Sequence, residues 1–290
     1  MKKFSVLFLM SIIFTFTAFS QTSVLSKTEN LRQAEALTLT ALQYHNEGKF
    51  AEAVSVYLRI IKIVPNDESI LNNLGTAYTE LKRYDEAIAT LEKATILNPK
   101  FAKAFYNLGV AYSFANRHIE AITVLQKVIA LNPKHINARI QLCESFLSSQ
   151  QNEKAVKCYQ ELFPLTPQNE EIRLNYGYAL NQIGQYKKAI EILQQTNNFL
   201  PLLAKTYDNL GVALFNLHRF NEAIMAFEQA LEIDSKDETA RYNLAMAQFA
   251  NKNKTAALEQ YAVLKTSNAE LAQQLFEMIY RDKIVAVKPK

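Results

Sequence analysis

Residues 68–101 read ESILNNLGTAYTELKRYDEAIATLEKATILNPKF, a stretch of 34 residues with two helical patterns. In its first half, small and apolar residues recur at i, i+3, i+4 and i+7: Leu71, Leu74, Gly75 and Tyr78. This spacing places them on one stripe of an amphipathic helix. The first half of the stretch is therefore predicted to be a helix with one buried face.

The second half of the stretch predicts a second helix. After a turn at Lys82 and Arg83, a new apolar stripe consists of Ala87, Leu91 and Ala94. Pro99 cannot continue a helix and is expected to end this one. Two packed helices approach closely where their side chains are small, so Gly75 is expected to face Ala87.

The same pattern recurs along most of the chain at a fixed spacing of 34 residues. A proline occupies the position of Pro99 in five places: Pro65, Pro99, Pro133, Pro167 and Pro201. Twelve residues before each of these positions, and at both places where the count continues, stands an alanine: Ala53, Ala87, Ala121, Ala155, Ala189, Ala223 and Ala257. A repeat of this length predicts stacked helical hairpins, because one hairpin cannot bury its own apolar side.

The pattern resembles that of the tetratricopeptide repeat family and holds without insertion or deletion. The resemblance implies an all-α, right-handed superhelical solenoid of seven helix-turn-helix units, closed by a C-terminal capping helix. The predicted units are residues 34–67, 68–101, 102–135, 136–169, 170–203, 204–237 and 238–271. Residues 21–33 form a lead-in, and residues 272–290 supply the capping helix and a tail.

The N-terminus has the features of an export signal. A basic start, Met1-Lys2-Lys3, precedes an apolar run from Phe4 to Phe19, and small residues follow at the cleavage position. Residues 1–20 are therefore predicted to be a signal peptide of a periplasmic or secreted protein. The run is shorter than the roughly 20 residues that span a bilayer. An uncleaved N-terminal membrane anchor is the alternative, and it is the only route by which we expect membrane association.

Composition narrows the function further. A formal net charge of +4 gives no basis for predicting a nucleic-acid partner. No histidine has a cysteine or a second histidine four residues away, so we expect no metal and no other cofactor at the four of them: His45, His118, His135 and His218. The repeats also leave no room for a catalytic domain. An enzyme is not expected.

In this family the first helix of each hairpin lines a concave groove. Numbering each unit from its first residue, helical geometry assigns positions 2, 5, 6, 9, 12 and 13 to that groove. Position 6 is asparagine in five units: Asn73, Asn107, Asn175, Asn209 and Asn243. The resemblance implies that these amides grip the main chain of an extended peptide. The alternative is that they are framework residues exposed to water.

Five hydrogen bonds at about 1 kcal/mol each would only offset the cost of ordering a peptide, so apolar anchors are needed as well. One predicted cluster contains Tyr106, Val110 and Phe114. A longer one contains Tyr178, Val212, Phe215, Tyr242, Met246 and Phe249. Aromatic residues and methionine are enriched at binding surfaces. At helical spacing they can equally pack between hairpins.

One known mode of peptide binding in this family is not expected here. Family members that clamp a C-terminal carboxylate place cations at positions that here read Asn72/Thr76 and Asp208/Val212, so that mode is not expected.

Cys143 and Cys158, the two cysteines, are predicted at the same height on one hairpin and could be bonded in an oxidising compartment. The strict Cα distance limit favours two unbonded thiols instead.

The sequence therefore predicts an exported interaction scaffold that binds an extended segment of a protein or peptide partner. The second hypothesis is a membrane-anchored assembly subunit that organises an envelope complex through its outer surface.

Overall fold

A computed structural model describes residues 28–194 and 203–284, and every regular element within those ranges is helical. The predicted signal peptide and the end of the tail lie outside the described residues. No described helix has both the length and the apolarity needed to cross a bilayer.

The chain divides into two compact units, residues 1–145 and 146–290, whose packing is described separately. The helices before the division, which falls within α7, are α1 (residues 28–46), α2 (Phe50–Ile63), α3 (Glu68–Glu80), α4 (Tyr84–Leu97), α5 (Ala102–Phe114), α6 (His118–Leu131) and α7 (Ile136–Ser148). After it come α8 (Asn152–Leu162), α9 (Glu170–Gln182), α10 (Tyr186–Leu193), α11 (Ala204–Asn216), α12 (Phe220–Ile233), α13 (Glu238–Ala250), α14 (Lys254–Ser267) and α15 (Ala269–Ile284). A 3₁₀ turn, Phe163–Leu165, follows α8.

Each compact unit is a stack of helical hairpins. In the first, α3 packs against its hairpin partner α4 and against α5, the first helix of the next hairpin. In the second, α11 packs against α9, α12 and α13 in the same way. The helix-turn-helix repeat predicted from the 34-residue spacing is thus confirmed.

The turn inside each hairpin has one backbone conformation throughout. The residue at position 15 has a positive φ in all seven repeats: Gly48, Lys82, Asn116, Gln150, Gly184, His218 and Lys252. In the second repeat, the amide of Arg83 donates to the carbonyl of Tyr78 at 2.9 Å, which is the hydrogen bond of a Schellman motif. Only two of the seven positions have the glycine that this conformation favours.

The expected pairing of Gly75 with Ala87 needs correction. A Cβ added to Gly75 would lie 2.4 Å from Cγ of Leu91, at position 24 of the same repeat. Gly211 has the same relation to Phe227, with a nearest distance of 2.6 Å. The glycine at position 8 therefore makes room for a large side chain, which fills the space between the two helices of the hairpin.

Arginine at position 4 was not anticipated from the sequence, which assigns that position to the apolar stripe. Arg173 is buried, donates to the carbonyl of Pro167 at 3.0 Å and pairs with Glu170 at 2.6 Å. Arg241 donates in the same way to the carbonyl of Ser235 at 2.7 Å. At these positions a long cationic side chain satisfies a carbonyl of the turn between two hairpins.

The last helix begins three residues before the predicted boundary of the capping segment at residue 272. It buries Ala272, Leu275 and Ile279 against Ala257 and Leu264 of α14. Tyr242 and Met246 of α13 pack on the same cluster. The last helix thus covers the apolar side of the final hairpin, as the sequence predicts for a capping helix.

Candidate functional site

The predicted groove positions fall into two groups in the structure. Position 5 is enclosed in two repeats, where Asn72 is only 1% exposed and Leu174 is buried. Position 12 is also buried at Thr79 and Asn181. In these repeats positions 5 and 12 belong to the packing between neighbouring first helices, and in the other repeats they are half-buried. Positions 2, 6, 9 and 13 are the more accessible ones, and we call them the groove face.

The asparagines of position 6 lie half-buried on the groove face, and several already use their amide hydrogens within the chain. Asn107 donates to Oδ1 of Asn72 at 2.8 Å and to Oγ1 of Thr76 at 3.1 Å. Asn243 donates to a carboxylate oxygen of Asp208 at 2.9 Å. These bonds tie one hairpin to the preceding one.

Asn209 differs from those two residues. Its amide donates to the carbonyl of Lys205 in its own helix at 2.8 Å. Asn73 accepts a hydrogen bond of 3.2 Å from the neighbouring Asn72. The framework role weighed for the series thus accounts for the donors of Asn107 and Asn243. In both, the side-chain oxygen is the group that could receive an N–H from a peptide main chain.

The aromatic residues of the first predicted cluster are divided between packing and exposure. Tyr106 packs on His135 with ring centroids 4.8 Å apart, and burial raises the pKa of its hydroxyl. Val110 is half-buried. Phe114 is 59% exposed and stacks on Tyr84 with centroids 6.0 Å apart. Phe114 is the member of this cluster that presents a ring to solvent.

The longer cluster surrounds two cavities within the second compact unit. The first has a volume of about 420 Å³ and a mixed lining, whose polar side chains and exposed ring are those of Asn175, Tyr178, Lys205, Asp208, Asn209 and Asp237. The second, of about 150 Å³, is mainly apolar and is lined by Val212, Phe215, Asn216, Phe227, Tyr242, Asn243 and Met246. The hydrogen bond between Asp208 and Asn243 joins the wall of one cavity to that of the other.

The aromatic residues and methionine of the longer cluster differ in how far they pack against the hydrophobic core. Tyr178 is 41% exposed. Tyr242, Met246 and Phe249 pack on the cluster under α15, and burial raises the pKa of Tyr242. Tyr178 is therefore the ring of this cluster whose removal least disturbs the hydrophobic core.

A third cavity, of about 580 Å³, lies in the first compact unit between α1 and α3. Leu31, Glu35, Leu39, Ile70 and Asn73 are among its lining residues. Leu39, which occupies position 6 in place of asparagine, is 71% exposed. Sequence reasoning did not assign this apolar surface a role, because Leu39 departs from the asparagine pattern that directed the prediction.

The structure also bears on the predicted cysteine pair and on metal binding. Cys143 and Cys158 are each disulfide-bonded, so neither is a free thiol and the favoured expectation of two unbonded thiols is wrong. Within residues 28–194 and 203–284, no group of three or more His, Cys, Asp or Glu side chains is arranged to hold a metal ion.

Comparison with known families identifies the repeat. Models described as tetratricopeptide repeat match residues 56–89, 115–169, 170–195 and 204–237, and a model described as TPR repeat matches residues 75–113. No curated protein matches the chain.

Several solved structures share the fold at low sequence identity. The C-terminal part of a TPR repeat-containing protein from Cytophaga hutchinsonii has a TM-score of 0.66 at 18% identity, covering 81% of this chain and 97% of that one. YrrB, described as a TPR protein with an unusual peptide-binding site, has a TM-score of 0.57 at 20% identity, covering 63% and 95%. A tetratricopeptide repeat protein from Parabacteroides merdae has a TM-score of 0.51 at 19% identity, covering 74% and 84%.

Proposed function

The chain belongs to the tetratricopeptide repeat family, and from this we propose that it is an exported interaction scaffold that binds an extended segment of a partner polypeptide on its groove face. The observation that carries the proposal is the pair of adjoining cavities beside α11. One offers amides and the exposed ring of Tyr178, and the other offers an apolar recess. Together they match an extended chain, which needs partners for its main chain and recesses for its side chains.

The hydrogen-bond geometry defines how the amides would contribute. Because Asn243 and Asn107 spend donors inside the protein, their oxygens receive N–H groups of the guest chain. Each such bond is worth about 1 kcal/mol net, so the apolar recess must supply much of the affinity. YrrB, which has a similar fold, is described as having a peptide-binding site, and this supports a peptide as the guest.

Affinity capture from the native envelope tests the proposal. Tyr178→Ala and Asn209→Ala are each expected to weaken the affinity for the partner by roughly five- to thirtyfold and so to reduce its recovery, since truncating a well-placed anchor costs about 1–2 kcal/mol. Tyr178 is preferable to Tyr242 because Tyr242 also supports the final hairpin.

The matched control is Ile96→Ala. Ile96 is 76% exposed on α4, away from the groove face, so the variant removes a surface apolar side chain without touching either cavity. If both groove variants, with unchanged circular dichroism, recover the partner as well as the control does, the groove is not the binding surface.

Export is the second component of the proposal. The disulfide-bonded state of Cys143 and Cys158 supports an oxidising compartment, where such bonds persist. The intact mass of the native, unreduced protein, taken before and after alkylation, reports both whether the signal peptide is cleaved and whether the cysteines are bonded. We expect loss of residues 1–20 and no thiol that reacts with an alkylating reagent. A retained N-terminus would instead favour the membrane-anchored assembly subunit.

A further inference from the structure

The carboxylate of Asp208, at position 5 of its repeat, has an unusual place beside the groove face. It lies half-buried in the wall of the cavity of about 420 Å³, and its hydrogen-bond partner is the neutral amide of Asn243 at 2.9 Å. No ion pair involves Asp208 within the part of the chain that the structure describes. A carboxylate withdrawn from water without a cation is unfavourable, and a cation brought to it recovers part of that cost.

The surroundings of Asp208 increase this demand for positive charge. Burial raises the pKa of its carboxyl, the hydrogen bond from Asn243 lowers it, and the nearby charge of Asp237 raises it further. Asp237 itself is engaged, because its Oδ1 accepts the amides of Thr239 and Ala240 at 3.0 Å at the start of α13. Lys205 lines the same cavity, but its ammonium forms no ion pair with Asp208 in the described structure.

The rest of the cavity suits a long basic side chain. Its volume of about 420 Å³ accommodates a lysine or arginine, and the exposed ring of Tyr178 lies on the same lining. The negative face of an aromatic ring attracts a cation. The adjoining apolar cavity is lined by Phe215, Tyr242 and Met246 and holds about 150 Å³, which suits one apolar side chain.

We propose that the guest segment carries a lysine or arginine that binds Asp208 and, a few residues along the same extended chain, an apolar side chain that enters the recess between α11 and α13. This inference rests on the proposed function and specifies the chemistry of the guest. The order of the two side chains follows the order of the cavities, and Asn243 lies between them, where it contacts the main chain.

A peptide array separates this inference from the proposed function. The probes are capped nine-residue peptides with a central arginine and a leucine or phenylalanine placed one to four residues away. Each has a partner in which citrulline replaces arginine, which keeps the shape and removes the charge. The full-length protein, labelled with a fluorophore, is applied at several salt concentrations.

We expect the arginine peptides to bind about tenfold more tightly than the citrulline peptides, which is the scale of one charge-assisted hydrogen bond. Asp208→Asn is expected to abolish that difference. The asparagine oxygen still accepts from Asn243, so the variant removes the charge and keeps the wall of the cavity. Asp85→Asn, a change at an exposed aspartate of α4, is the matched control and should leave the preference intact.

Equal binding of arginine and citrulline peptides would overturn the inference, and so would a preference that survives Asp208→Asn. An array on which nothing binds overturns it too, since the two cavities should suffice to recognise such peptides. The proposed function is judged separately, by whether Tyr178→Ala loses the native partner. A partner that binds through the groove without a basic residue would leave that function standing.

Discussion

At the scale of single residues, Asp208 gives a prediction about stability and pH. Its folded-state pKa is raised above the ordinary value of 3.8, mainly by burial. The unfolded chain therefore loses this proton at lower pH than the folded one does, and stability falls as pH rises through the window above 3.8. Asp208→Asn should be more stable than the unaltered protein at pH 7, and the difference should vanish near pH 3.

Urea unfolding followed by circular dichroism at both pH values measures this difference. Asp85→Asn, at an exposed residue of α4, is the control and should show no comparable gain at pH 7. If Asp208→Asn is less stable than the unaltered protein at pH 7, the carboxylate is stabilised in the fold, and its suggested demand for a cation is wrong.

The sequence predicts the position of a residue within its repeat more accurately than the neighbours that surround its side chain. Placing residues at 100° intervals assigned Asn72 and Thr79 to the groove, whereas both are buried. The projection considers one helix alone, and the neighbouring hairpin decides which edge of the helix is covered. Similarly, it gave Gly75 a small partner, although the space is filled by Leu91, because a large side chain on the facing helix can enter the gap that a glycine leaves.

At the scale of the helical hairpin, the turn at position 15 offers a route to stabilisation. Lys82, Asn116, Gln150, His218 and Lys252 hold a left-handed conformation that costs a residue with a Cβ roughly 1–2 kcal/mol. Lys82→Gly should therefore stabilise the protein by about 0.5–1 kcal/mol, once the greater freedom of glycine in the unfolded chain is subtracted. His218→Gly should do the same.

Lys82→Ala is the matched control for this turn, because alanine removes the side chain but keeps the Cβ. It should give no such gain in urea unfolding. Gly48→Ala is the reverse experiment. An added Cβ there meets no atom within 4 Å, so the expected loss of about 1 kcal/mol comes from the backbone conformation alone. Equal effects of alanine and glycine at position 82 would assign the change to the lysine side chain.

Residue type alone identifies only some of these turns. Gly48 and Gly184 have the residue type typical of a left-handed helix end. The other five turns have no glycine at position 15, so only the 34-residue spacing shows that they are equivalent. The arginines at position 4 were missed for a related reason: a buried cation becomes favourable only through a carbonyl such as that of Pro167, which belongs to the preceding repeat.

At the scale of the whole molecule, stacked repeats interact mainly with their neighbours, so damage at one end should stay local. Leu275 of α15 is completely buried against α14, and Leu275→Ala should cost about 2–5 kcal/mol of local stability through the cavity it leaves. Hydrogen exchange should accelerate most in residues 238–284, because α13 and α14 bury their apolar side under α15. Exchange in α3–α6 should remain at its original rate.

The same variant connects stability with binding. Tyr242 and Met246 line the apolar recess and also pack on the cluster that contains Leu275, so a loosened capping helix should weaken peptide binding by the second compact unit. Gln273→Ala, on the exposed side of α15, is the matched control and should change neither exchange nor binding. If Leu275→Ala instead accelerated exchange uniformly from α3 to α15, the chain would unfold as one cooperative unit. The binding surface would then depend on the whole stack rather than on the hairpins that form it.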